Sequence, residues 1–191
     1  MRGRTLESLF FLIFFINCSN INYIKIAEEN PKLLVAAQDS LMQEEPMSKK
    51  LQLALARANN NLGILEFNNE SYKEAYSYFL NSKKINKSDS LASFFLLLCE
   101  GNFLYNKGNE DSLWTSIQKY NRATQFNPLS GLPYYFIALS YQKISDKDFD
   151  LIIEAFQAAM LLSLDEKMRN KTKKALEVVI KRERVLKDFW R

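Results

Sequence analysis

The sequence predicts an all-α fold, and three observations carry that expectation. From Pro31 onward apolar residues recur three and four apart over long stretches, and no segment keeps a period-two alternation for long. The 191 residues include only 5 Gly and 4 Pro, too few for a many-turned sandwich or barrel, which needs a turn signal every ~8–12 residues. The punctuation that exists falls between the periodic stretches: Glu45-Pro46, Asn68-Asn69, Lys87-Ser88-Asp89, Lys107-Gly108-Asn109, Asn127-Pro128 and Ser145-Asp146. With 47% hydrophobic and 25% charged residues the composition is that of a globular chain.

Residues 1–17 read as an address rather than as part of the fold. Arg2 and Arg4 precede the unbroken apolar run Leu9 to Ile16, the layout of a secretory signal. Eight helical residues span about 12 Å, against a hydrocarbon core near 30 Å, so the run is too short for a permanent membrane span. Directly after it stands Asn17-Cys18-Ser19-Asn20. This resembles the lipobox of bacterial lipoproteins, whose Cys is diacylated and becomes the mature N-terminus, although Phe15 and Asn17 stand where that family usually has Leu and Gly or Ala. The resemblance implies lipidation at Cys18. A conventional secreted product or an uncleaved anchor are the readings beside it.

Residues 18–30 are expected to form a tether. Helices are expected at about 31–43, 47–68, 71–86, 89–106, 111–126, 131–144, 149–163 and 166–189. Ser88 or Asp89 can cap the helix that follows them, and so can Ser130. The stretch 31–46 is a flanking helix, and 166–191 a long terminal one with Met168, Ala175, Leu176, Val179, Leu186 and Trp190 on one side. Its ten Lys/Arg against five Asp/Glu over 165–191 give it a basic face, read either as the polar outside of a cap or as a contact for anionic lipid head groups.

The central helices repeat. Asn59-x2-Leu62-Gly63-x2-Glu66 is followed by Tyr72 and Ala75-x3-Phe79; Tyr134-x2-Ile137-Ala138-x2-Tyr141 is followed by Phe156 and Ala159. A middle copy fits Phe94-x2-Leu97-Leu98, then Ser116-x3-Tyr120, Ala123 and Pro128, with its register open by one residue. These resemble the tetratricopeptide signature, W-x2-L-G-x2-Y followed by A-x3-F and P, with a period near 34 residues. Ala75, Ser116 and Ile152 stand 41 and 36 apart, and the excess over 34 is expected in the turns at 106–112 and 145–150. The resemblance implies a TPR-like right-handed α-solenoid of about three helix pairs (about 56–89, 90–128 and 131–164, within 47–165) with flanking helices. In it Gly63 and Ala138 let two helices cross closely, and Leu62, Phe79, Ile137 and Phe156 fill the crossing.

The residue inventory excludes most site chemistry. With no His in the chain there is no Ser-His-Asp or Cys-His system and no His-ligated zinc. The glycines at 3, 63, 101, 108 and 131 make neither G-x-G nor a phosphate-cradling loop. Asp146-x-Asp148-x-Asp150 resembles the start of a calcium loop but has Leu151 and Gln157 where Gly and Glu are required, so the acids are read as a helix start. Glu44-Glu45 and Glu110-Asp111 lie in or beside turns, with nothing converging on them. Cys99, in an apolar run, reads as core. No catalytic residue, metal or cofactor is expected, and a net charge of +4 with mixed signs does not suggest nucleic acid.

What the resemblance leaves is a surface. Its geometry implies that Asn60, Ile64, Phe95, Cys99, Tyr135 and Leu139 face the concave side, a mostly apolar groove suited to a partner helix or an extended apolar segment. Residues 21–29 or the last helix could instead fold back and fill it. The functional expectation is a non-catalytic scaffold in the bacterial cell envelope, held to the membrane by an N-terminal lipid (outer membrane or periplasmic face) and binding another envelope protein or peptide segment. The alternative is a ligand-capturing accessory component of an envelope transporter.

Overall fold

In the computed structural model residues 22–43 and 47–189 are described. The expected signal segment, Cys18, the Glu44-Glu45-Pro46 break and Trp190 lie outside them. The described residues form ten helices and no strand: α1 Tyr23–Glu29, α2 Pro31–Ala36, α3 Gln38–Leu41, α4 Lys49–Asn68, α5 Tyr72–Ile85, α6 Ser90–Lys107, α7 Glu110–Thr124, α8 Leu132–Ile144, α9 Phe149–Leu161 and α10 Glu166–Phe189. None is long and apolar enough to cross a membrane.

The helix starts are written in short polar side chains. Ser48, Asp89, Asn109 and Asp165 each accept a hydrogen bond from a backbone N–H three residues on, at 3.2, 2.9, 2.8 and 2.7 Å. Of the two candidates before α6, Asp89 is the cap, while Ser88 bonds to Asn86. Ser130 accepts from Leu132 N–H at 3.3 Å one residue before the actual cap, Gly131. Gly108, with φ +78°, ends α6 in the left-handed conformation that glycine adopts at little cost.

The N-terminal region departs from the expected plan twice. Part of the expected tether is helical: α1 buries Ala27 completely, and Asn30 closes α1 by donating its N–H to Ile26 O while its side chain caps α2. The single helix expected over 31–43 breaks at Ala37, whose backbone N–H is shared between the carbonyls of Leu33 and Val35. Both α1 and α2 pack along α4. With it they enclose a small core of Ala27, Leu34, Leu51, Ala54, Leu55 and Ala58.

From α4 onward each helix packs on the next: α4 with α5, α6 with α7 and α8 with α9 across short turns, and α5 with α6, α7 with α8 and α9 with α10 between those pairs. One large core runs from Phe67 to Val179. Where α4 crosses α5, a Cβ on Gly63 would lie 2.7 Å from the Phe79 ring. Where α6 crosses α7, a Cβ on Gly101 would overlap the Tyr120 ring. Phe79 and Tyr120 are both fully buried. Ala138 and Phe156, the matching residues of α8 and α9, are also fully buried in that core.

The register expected for the middle pair is corrected by this geometry: Gly101, three residues beyond Leu98, lies under the aromatic ring. Four of the seven extra residues therefore fall between Ala75 and Gly101, not in the turn after α6. That is about one helical turn, which returns the chain to nearly the same face.

The last helix closes the far end. Val179 and Thr172 are buried, and Met168, Ala175 and Leu176 pack on the large core. Arg169 donates to the carbonyls of Met160 and Leu162, both at 3.1 Å, satisfying acceptors that the end of α9 leaves open.

Candidate binding surface

The aromatic residues of the first helix in each pair meet in the interior. The Phe67 ring of α4 packs edge-on against Phe95 of α6 at 5.1 Å and Phe136 of α8 at 6.1 Å. Phe95 stacks on Phe79 at 4.7 Å, and Phe136 on Tyr120 at 5.3 Å. Phe95, one of the residues that the resemblance assigns to a groove, thus packs within a cluster of the chain's own rings.

The expected groove residues separate accordingly. Phe95 is buried among Phe67, Phe79 and Phe94. Asn60 is also buried and serves as a structural strut: its amide donates to Asp89 Oδ2 at 2.8 Å. The same oxygen accepts from Ser82 Oγ at 2.7 Å while Oδ1 caps α6, so one carboxylate ties α4, α5 and α6 together. Ile64 and Leu139 are half-buried against the large core. Cys99 is fully buried, and burial pushes its thiol up to about 12, which keeps it neutral and a poor nucleophile.

Tyr135 borders a cavity. A space of about 390 Å³ lies between the end of α4 and its turn (Phe67, Asn68, Glu70), the start of α5 (Tyr72), the start of α8 (Leu132, Tyr135, Phe136) and the beginning of α10 with the residue before it (Asp165, Lys167, Met168, Lys171). Its floor is aromatic and its rim carries both signs of charge. Lys171 reaches Glu70 across the mouth at 3.5 Å and stands 5.7 Å over the Tyr135 ring.

Burial pushes the Tyr135 phenol up, and Lys171 offsets part of that rise. For Lys171 burial pulls downward, but Tyr135 and Glu70 outweigh it and the ammonium is stabilised. Tyr72 is raised by burial and then by Glu70. At neutral pH the cavity thus offers two phenol hydroxyls, one fixed cation and an apolar floor. A set of this kind is suited to a ligand by shape, hydrogen bonding and charge.

Of the residues around this cavity, sequence reading names Tyr135 alone as a surface candidate; Tyr72 enters as a repeat position and Met168 as part of the apolar side of the last helix. Phe67 and Phe136 occupy variable positions of the repeat signature, and Lys171 is one of many cations in α10. Glu70 carries a backbone sign only coordinates reveal, a φ of +62°, unusual for a residue with a side chain. The start of the terminal helix, with Lys167, Met168 and Lys171, forms one wall of this cavity.

The chain matches no protein-family model and no curated protein sequence.

Proposed function

We propose that the protein is a non-catalytic, tetratricopeptide-like α-solenoid scaffold, held to a bacterial envelope membrane by a lipid on Cys18, that binds a segment of another envelope protein. The observation that carries this reading is the repeated crossing: a small residue under a fully buried aromatic ring in α4/α5 and again in α6/α7. Helices that pack on their chain neighbours in series support the same architecture. No catalytic group is assigned; the cavity beside Tyr135 is the proposed contact, with its apolar floor for a partner side chain and the Lys171–Glu70 rim for orientation.

Two arms test the proposal. Changing Cys18→Ala should move the protein from the detergent phase to the aqueous phase; unchanged partitioning rejects the lipid anchor. A photoreactive residue in place of Lys167, at the cavity rim, should crosslink one envelope protein in native membranes, identified by mass spectrometry. Lys171→Glu should abolish that product without changing the circular dichroism spectrum. Crosslinks that persist in the variant reject the cavity as the contact.

A second reading is favoured by the cavity itself, whose volume falls in the range of small-molecule sites. In that case the chain captures a ligand for an envelope transporter, and a small molecule should co-purify with the wild-type chain and be absent from Lys171→Glu.

A further inference from the structure

The C-terminal half of α10 carries an apolar strip that the fold does not use. Val178 and Val185, seven residues apart and so nearly on one line of the helix, are 63% and 59% exposed. The face of α10 that packs on the core is a different one, marked by Thr172 and Val179, both buried. Most of the surface of Val178 and Val185 therefore stays outside the core.

The strip borders a shallow cleft of about 570 Å³ lined by Val178, Val185, Leu186, Lys147, Lys181 and Arg182. Every lining residue is aliphatic or cationic, and no acid takes part. Asp146 reaches Arg182 from outside the lining and neutralises part of its charge; Lys147 and Lys181 make no ion pair among the described residues, although Asp148, Asp150 and Glu183 line an adjoining hollow that Lys147 shares. Along α10 as a whole, nine Lys/Arg stand against four Asp/Glu. An aliphatic stripe edged by cations on a helix of low overall hydrophobicity complements one kind of surface: acyl chains beneath anionic head groups.

We infer that this face of α10 docks in the plane of an anionic lipid bilayer, with Val178 and Val185 at the acyl boundary and Lys147 and Lys181 at the head groups. The surface acts independently of acylation at Cys18. It would hold the far end of the molecule against the membrane, so that the chain lies along the bilayer.

The test uses the full-length chain with Cys18→Ser and Val185→Cys, labelled with an environment-sensitive dye; Cys99 is buried and protonated, so the label has one site. Because the dye sits on α10, attachment through the N-terminal segment alone does not move it into lipid. Vesicles containing phosphatidylglycerol should shift its emission to the blue and, when brominated, quench it. Neutral phosphatidylcholine vesicles should not, and high salt should weaken the effect. A surface cation contributes about a fivefold factor, so Lys147→Ala with Lys181→Ala should shift the docked fraction about 25-fold toward the undocked state. The dye at Val178→Cys gives an independent reading if the label at 185 disturbs the helix. Unchanged emission on anionic vesicles at both positions overturns the inference, and so does an equal shift on neutral ones. A blue shift without vesicles that grows with protein concentration assigns the strip to a second copy of the chain and overturns it too.

Discussion

At the scale of single residues, the two crossing glycines leave no space for a side chain. A methyl on Gly101 overlaps the Tyr120 ring, which is fully buried and has no room to retreat. Gly101→Ala should therefore destabilise the protein by about 1–3 kcal/mol, although alanine is the better helix former by close to 1 kcal/mol; urea unfolding measures the balance. This position was open to inference from sequence, since a glycine inside an apolar helix usually has a packing reason. It was missed because Phe94, Leu97, Leu98 and Gly101 recur at helical spacing, so periodicity fits registers three or four residues apart equally well.

Cys99 makes a second prediction at this scale. Its thiol titrates near 9 in the unfolded chain and near 12 when buried, so the unfolded state loses the proton first as pH rises. Below pH 9 the thiol contributes no pH dependence. Between 9 and about 12 stability should fall, and Cys99→Ala should flatten the part of that fall not due to the raised tyrosines.

At the scale of elements, the long helices are legible because each repeats its apolar spacing over several turns, and α4, α6, α7 and α10 also begin with a capping side chain. The short ones are not. Seven residues, as in α1, are too few to hold a helix in water, and α1 exists because α4 offers a surface that buries Ala27. The Asn residues at both of its ends were visible, but only tertiary packing gives them a helix to cap. The same limit applied to the binding surface. Family geometry placed Phe95 and Asn60 facing a groove, and nothing in the sequence says that Phe67 packs against Phe95. Asn60 enters that groove only through its place in the repeat signature; its partner, Asp89, lies 29 residues away.

At the scale of the whole molecule, successive packing gives each helix neighbours mainly before and after it, yet Phe67 joins α4, α6 and α8 through ring contacts. Removing it should cost about 3–5 kcal/mol, as for other buried aromatics. It should also change how the loss is distributed. Hydrogen exchange of Phe67→Ala should accelerate in α4, α6 and α8 together, whereas acceleration confined to α4 would show that the rings do not couple the pairs. The described residues also form two cores of unequal size, and the smaller one holds α1 and α2 chiefly to α4. Traction applied at the amino end reaches that minor core first. The first two helices can then peel away as a sacrificial length of slack, and the aromatic centre behind them is spared the load.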